Sequence, residues 1–284
     1  MNQAGGPVVG YPDEWALFYE RHADADNYIR RIKAFSNAVF NDQPKAITVP
    51  DQVVFTLGCC AWEDAREILI LAGNGLGNGA QKILRSLYEH AVTAAYLAKH
   101  PEDADAFQNY FYVQDNKLIS HIFKFEEWAK TISPEQRSEA GVAYERHRAQ
   151  FKQTPCPDCG RTPQTSWTKK NTEELAREAG EGWDVFYLPA FFYPTSHIHA
   201  TAAGVMSRVV KRDGKMIFTG GRAHDEADSA LKQAHILLLW VFRTQIEYFD
   251  MPHLRSELVG IAADLCRVWR LGPFSNDPSQ DTTS

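Results

Sequence analysis

Apolar residues recur at helical spacing along most of the chain, and strand-like alternation is nearly absent. Tyr28, Ile32, Phe35 and Val39 fall on one face, so Asp13 reads as the cap of a helix running to about Phe40. After a linker, NDQPKAITVP, Pro50 and Asp51 open a second helix through Phe55, Leu57, Trp62 and Ile68 to Leu71. The turn GNGLGNG (Gly73–Gly79) leads into a third, largely apolar helix to about Lys99, broken by His100-Pro101. Phe107, Phe111, Leu118, Ile122 and Phe125 predict a fourth, to about Lys130. Ser133-Pro134-Glu135-Gln136 has the form of a capping box and starts a polar helix to about Phe151. Residues 103–152 therefore read as a protruding helical arm.

Residues 153–171 are the least regular part. Thr172 starts a short helix ended by Gly180, and Trp183–Arg208 is aromatic-rich and helical with an interruption near Pro194. The segment VVKRDGKMIF, 209–218, is the one hairpin signal, with Asp213-Gly214 as its two-residue turn. Asp225 is expected to cap a helix to about Phe249, Pro252 to stop it, and a last helix to run to about Trp269. The expected fold class is all-α: a single multi-helix bundle over residues 1–270 with one small β-hairpin, followed by a disordered tail at 271–284.

Composition narrows the partners. Hydrophobic residues make up 44% and charged residues 23%, enough apolar surface for a packed core. A net charge of −6 disfavours a broad basic surface, so neither RNA nor an anionic membrane is a favoured partner. The start, MNQAGGPVVGYPDEW, lacks a basic segment followed by an apolar one, and Ile236–Phe242 is far short of the roughly 20 apolar residues of a membrane span. Five cysteines, two of them adjacent, do not form a disulfide framework. A cytoplasmic protein is expected.

Several motifs carry candidate chemistry. Gly75–Ala80 matches the glycine fingerprint of dinucleotide sites, but the chain stays helical afterwards and no second strand delivers an acid to a ribose. A turn between antiparallel helices, and no cofactor, is the expectation. Cys156-Pro-Asp-Cys159 has the shape of half a zinc ribbon without its second half, leaving a tight loop with two thiols as the favoured reading and zinc as a weak one. His197 and His199 are two apart, about 200° on a helix, so one is expected buried with a partner and the other outward, with a shared metal as the weaker alternative. Arg85 and Glu89 share a helix face and make either a buried ion pair that fixes register or a polar pocket in the bundle. Arg85 and His90 also have the R-x4-H spacing of the HEPN-superfamily ribonucleases. In those enzymes a histidine moves the proton of an RNA 2′-hydroxyl and an arginine stabilises the phosphate it attacks.

Beyond these spacings, the segment from about 50 to 250 resembles an uncharacterised bacterial family, domain of unknown function 5677. The resemblance rests on LRSLYE (Leu84–Glu89) after the glycine turn, AYLAKHPEDADAFQNY (Ala95–Tyr110), Trp167 with TEELAREAG (Thr172–Gly180), and Tyr193-Pro-Thr-Ser196-His197-Ile-His199. The family pattern R-S-x-x-E with a distant Y-x-x-S-x-x-H maps onto Arg85, Ser86, Glu89, Tyr193, Ser196 and His199; His90 and the cysteine loop lie outside it. The resemblance implies an all-helical fold in which Arg85, Glu89, Ser196 and His199 meet, and it carries no activity. Three functions follow as expectations. The first is a binding or interaction protein built on that cluster, with Arg85 suited to a small anion. The second is a metal-independent HEPN-like ribonuclease of phage-defence or toxin type, using Arg85 with His90 or His199, and a homodimer is the arrangement that sets such a pair across a two-fold axis. The third is a metal-dependent hydrolase using Glu89, His197 and His199.

Overall fold

The computed structural model describes residues 10–41, 47–151, 166–218 and 221–271. The cysteine loop with Cys156 and Cys159 and the tail beyond 271 lie outside them. Twelve α-helices and one two-stranded sheet make up the described residues, as the apolar spacing predicts. None of these helices is long and apolar enough to cross a membrane.

Three long helices form the centre: α3 (Val49–Gly73), α4 (Gly77–Lys99) and α11 (His224–Tyr248). Thr48 and Asp51 close a reciprocal capping box at the start of α3. A turn at Asn74 and Gly75, with Gly75 at φ +71°, then sends the chain back as α4, so the glycine motif is a helix–helix turn. Gly77 lies directly against the backbone of Ala223 and Ala227, and no larger residue fits there. Alanines at Ala61, Ala65, Ala80, Ala91, Ala227, Ala230 and Ala234 let the three helices approach closely, while Ile68, Leu84, Leu87, Tyr88, Leu237 and Phe242 fill the space between them. Residues 91–97 of α4 are all buried, which makes it the central helix.

The expected first helix is two helices, α1 (Pro12–Arg21) and α2 (Ala25–Asn41). The break has a physical cause. Arg21 and His22 both reach Asp228 of α11, at 3.2 and 3.0 Å, and consecutive residues of an unbroken helix point about 100° apart. Glu14 of α1 is fully buried, 2.7 Å from Arg222 Nε and 2.6 Å from His224 Nε2. These contacts tie the start of the described chain to the start of α11. Ala223 rather than Asp225 is the N-cap of α11, and Asp225 and Glu226 act from its first turn by charge.

The arm is built from α5 (Ala104–Ile122), α6 (Glu126–Ala129) and α7 (Pro134–His147). Helix α5 ends before the expected Lys130, because the amides of Phe123, Lys124 and Phe125 turn back to the carbonyls of Ile119, His121 and Ile122. Ser133 and Gln136 form the expected capping box. Tyr110, Val113 and Phe151 make a small core separate from the main one, and Trp167 packs against both. Farther on come α8 (Thr172–Ala179), α9 (Tyr193–Ile198), α10 (Ala202–Met206) and α12 (Arg255–Val268).

Residues 187–192 form a π-helical turn leading straight into α9, so the interruption expected near Pro194 falls instead after Ile198. In an α-helix the Pro194 ring would strike the carbonyl four residues earlier, and the wider π turn relieves that clash. Strands β1 (Val209–Arg212) and β2 (Lys215–Phe218) pair antiparallel, Val209 opposite Phe218 and Arg212 opposite Lys215. Asp213 and Gly214 both have positive φ, as a primed two-residue turn requires.

Candidate functional site

Helix α4 carries the polar residues that the sequence singles out, and its neighbours decide what each can do. The Arg85 guanidinium lies over the Phe191 ring at 4.5 Å, with one terminal nitrogen 3.6 Å from Glu89 Oε1. Arg85 is the more buried partner and Glu89 is close to half exposed. Spacing of i, i+4 supplies this pair, and the π turn supplies the ring that covers the arginine.

His90 turns toward α3 rather than toward Arg85. Its Nδ1 lies 2.8 Å from Asp64 Oδ2, and Asp64 is well buried. A carboxylate behind one ring nitrogen fixes the orientation of the imidazole and leaves Nε2 for other partners. Arg85 and His90 therefore have different neighbours, Phe191 with Glu89 for one and Asp64 for the other.

Glu89 and His90 line a cleft of about 790 Å³. Leu57 of α3, Thr93 of α4, Phe107 and Gln114 of α5, and residues of the segment from Ser166 to Leu175 line it as well. That last segment is pinned. Trp167 packs edge-on against Phe107 with centroids 5.3 Å apart and leans on Tyr96 at 6.0 Å. Lys170 Nζ donates to the Tyr96 hydroxyl at 2.8 Å and pairs with Glu178 at 3.0 Å. The hydrogen bond to Tyr96, then the one to Glu178, holds the Lys170 ammonium well above the ordinary lysine range. Tyr96 in turn donates to Asp103, and Asn171 caps α8 in a reciprocal box with Glu174. A cleft of this size suits a small molecule, with an apolar aromatic wall facing a few convergent polar groups.

Of the residues expected to meet, Arg85 and Glu89 form the pair just described. The Ser196 hydroxyl donates to the Tyr193 carbonyl of its own helix at 2.9 Å, and His199 is exposed at the end of α9. His197 is the inward histidine, buried with Nδ1 3.2 Å from Asn78 Oδ1. Burial holds its imidazole below the ordinary histidine range. Beside it the Tyr193 hydroxyl donates to Glu226 Oε1 at 2.7 Å, which raises its own pKa to about 12, and the Gln81 amide donates to Glu226 Oε2 at 3.0 Å. Among the described residues no three His, Cys, Asp or Glu side chains come together as a metal-ligand set. The zinc reading of Cys156 and Cys159 falls outside the described residues.

Asp64 and the Asn78–His197 contact are absent from the sequence reading, and Phe107 enters it only as an apolar position of a helix. Tyr193 and His197 stand at i, i+4, a spacing that places both on one helix face, and this signal could have singled out His197 over His199.

The model of a family described as a family of unknown function (DUF5677) matches residues 51–216, from the first turn of α3 to the middle of β2. No curated protein and no solved structure matches the chain.

Proposed function

The chain belongs to the DUF5677 family of unknown function, and we propose that it binds a small polar ligand in the cleft over the middle of α4. The observation that carries this reading is that Glu89 and the Asp64-oriented His90 line a 790 Å³ space together with the aromatic side chains of Phe107 and Trp167. Glu89 accepts a donor from the ligand, His90 donates or accepts through Nε2, and Phe107 and Trp167 cover its apolar part. Arg85 has a supporting part: it draws one oxygen of Glu89 toward the bundle and so orients the carboxylate at the cleft edge. The cytoplasm is the compartment this reading assumes, and residues 1–270 are taken as one unit.

The test is a thermal-shift panel of nucleoside monophosphates, amino acids and small amines on the wild type, Glu89→Gln and His90→Ala, with calorimetry on each hit. A compound that stabilises the wild type and loses at least about tenfold in affinity with either variant supports the cleft, since one charged hydrogen bond is worth about 1.5–3 kcal/mol. Hits that bind all three proteins equally would move the ligand elsewhere.

The ribonuclease reading draws on the same Asp64–His90 pair, because a histidine oriented by a carboxylate is suited to proton transfer. It also needs Arg85 on the same phosphate, whereas Arg85 is engaged by Phe191 and Glu89, so the geometry supports binding better. Growth arrest with RNA breakdown on induced expression, abolished by both Arg85→Ala and His90→Ala, would reverse that order.

A further inference from the structure

The hairpin is exposed along its whole length, Val209 alone being half-buried. An isolated two-stranded sheet is marginal in water, since stability comes with three or more strands or with packing on a helix. Its two open edges differ. Strand β1 carries Lys211 and Arg212 at adjacent positions, the kind of charge that guards an edge against pairing. Strand β2 offers Met216, Ile217 and Phe218, which are 64%, 43% and 64% exposed. Its only charge, Lys215, sits beside the turn.

We propose that the open edge of β2 is a homodimer interface, at which a second copy of this chain adds its own β2 antiparallel across a two-fold axis. With the axis at Ile217, Ile217 of one copy lies opposite Ile217 of the other, and Met216 opposite Phe218. No like charges face each other. On β1 an axis at Lys211 would set Lys211 opposite its own copy, and an axis at Val210 would set Arg212 opposite Arg208, like charges in either register. Pairing through β2 yields a four-stranded sheet and covers apolar side chains on both of its faces. A stable interface buries roughly 800 Å² per partner, more than two short strand edges supply, so the contact takes in further surface beside the hairpin. A basic and apolar hairpin also has the chemistry to dock on an anionic membrane, but the net charge of −6 opposes that partner.

Sedimentation velocity on the full chain tests the proposal. The wild type is expected to sediment as a dimer, and the double variant Met216→Lys, Ile217→Lys as a monomer, with association weakened at least tenfold. Both positions are exposed, so the variant keeps the helical spectrum and melting temperature of the wild type. Val142→Lys, an equally exposed apolar site on α7, is the control and stays dimeric. A wild type that is monomeric at every soluble concentration overturns the proposal, as does a dimer that survives the double substitution or is lost with Val142→Lys. A monomer that floats with phosphatidylserine vesicles overturns it in favour of a membrane.

Discussion

The two halves of α4 carry similar side chains and differ in what lies over them. At the N-terminal half, Asn78 and Gln81 meet His197 and Glu226 under the cover of α9 and the first turn of α11, and Gln81 and His197 are almost fully buried. At the C-terminal half, Glu89 and His90 stand at the edge of an open cleft, each at least one-third exposed. A histidine with a polar partner is present in both places. The covered one is disfavoured as a cation by its burial and fixes how α9 sits on the bundle, while the open one keeps a nitrogen available to a ligand. Residue type does not separate the two roles; the overlying elements do.

The contrast breaks most severely at Gly77, where α4 meets α11. A Gly77→Ala methyl would collide with backbone that has no rotamer to change, and overpacking of this kind costs about 3 kcal/mol. Urea unfolding is expected to show that loss; a loss below about 1 kcal/mol would mean that the covered end is loosely packed. Next in size, Gln81→Ala removes a buried side chain and its amide bond to the part-buried Glu226 and is expected to cost about 1–2 kcal/mol in the same measurement.

Acid sharpens the comparison further. Burial holds His197 below the ordinary histidine value and pushes His235, which accepts from Trp269 Nε1, down to about 3. His235 stays neutral in the folded chain and His197 takes up its proton at lower pH than in the unfolded chain, which protonates near pH 6.5, so their contribution to stability is complete above that pH and is lost as the pH falls below it. For His235 the slope approaches about 1.4 kcal/mol per unit between pH 6.5 and 5. His235→Gln is expected to flatten most of the slope of the urea midpoint in that window, and His197→Gln part of it. A slope unchanged in both variants would mean that neither ring is held neutral.

The smallest expected effect on stability comes from the open end. His90→Ala removes a partly exposed pair with Asp64 and is expected to change the unfolding free energy by less than about 1 kcal/mol while abolishing ligand binding. If His90→Ala instead unfolds the chain as severely as Gly77→Ala, the Asp64–His90 pair belongs to the architecture and the cleft loses its key group.

The sequence made the helices legible because their signals are local. Apolar spacing marked α3, α4 and α11, and the reciprocal cap at Ser133 marked the start of α7, whereas the cap of α8 at Asn171 was not read from the sequence. The pairing of Arg85 with Glu89 was legible for the same reason. Asp64 meets His90 through the register of two neighbouring helices, which no local pattern encodes. The cleft depends on how Trp167 and Lys170 dock on Tyr96, a contact between segments 71 and 74 residues apart in the chain for these pairs. The break after Arg21 depends on Asp228, far along the sequence. In the aromatic stretch Pro194 reads as an interruption, whereas the chain absorbs it by widening the turn ahead of α9.

That widened turn also works as a phase key. A π turn carries one more residue than the α turn it replaces, and each residue of a helix advances the screw by about 100°. Deleting a single residue from 187–192 would return the segment to α geometry and rotate everything after it by that angle. His197 would swing off Asn78, the Tyr193 hydroxyl would leave Glu226, and the aromatic cover would leave Arg85. The alignment of α9 with α4 is thus encoded by the count of residues ahead of it as much as by their identity, and length variation is poorly tolerated in the aromatic stretch that leads into α9.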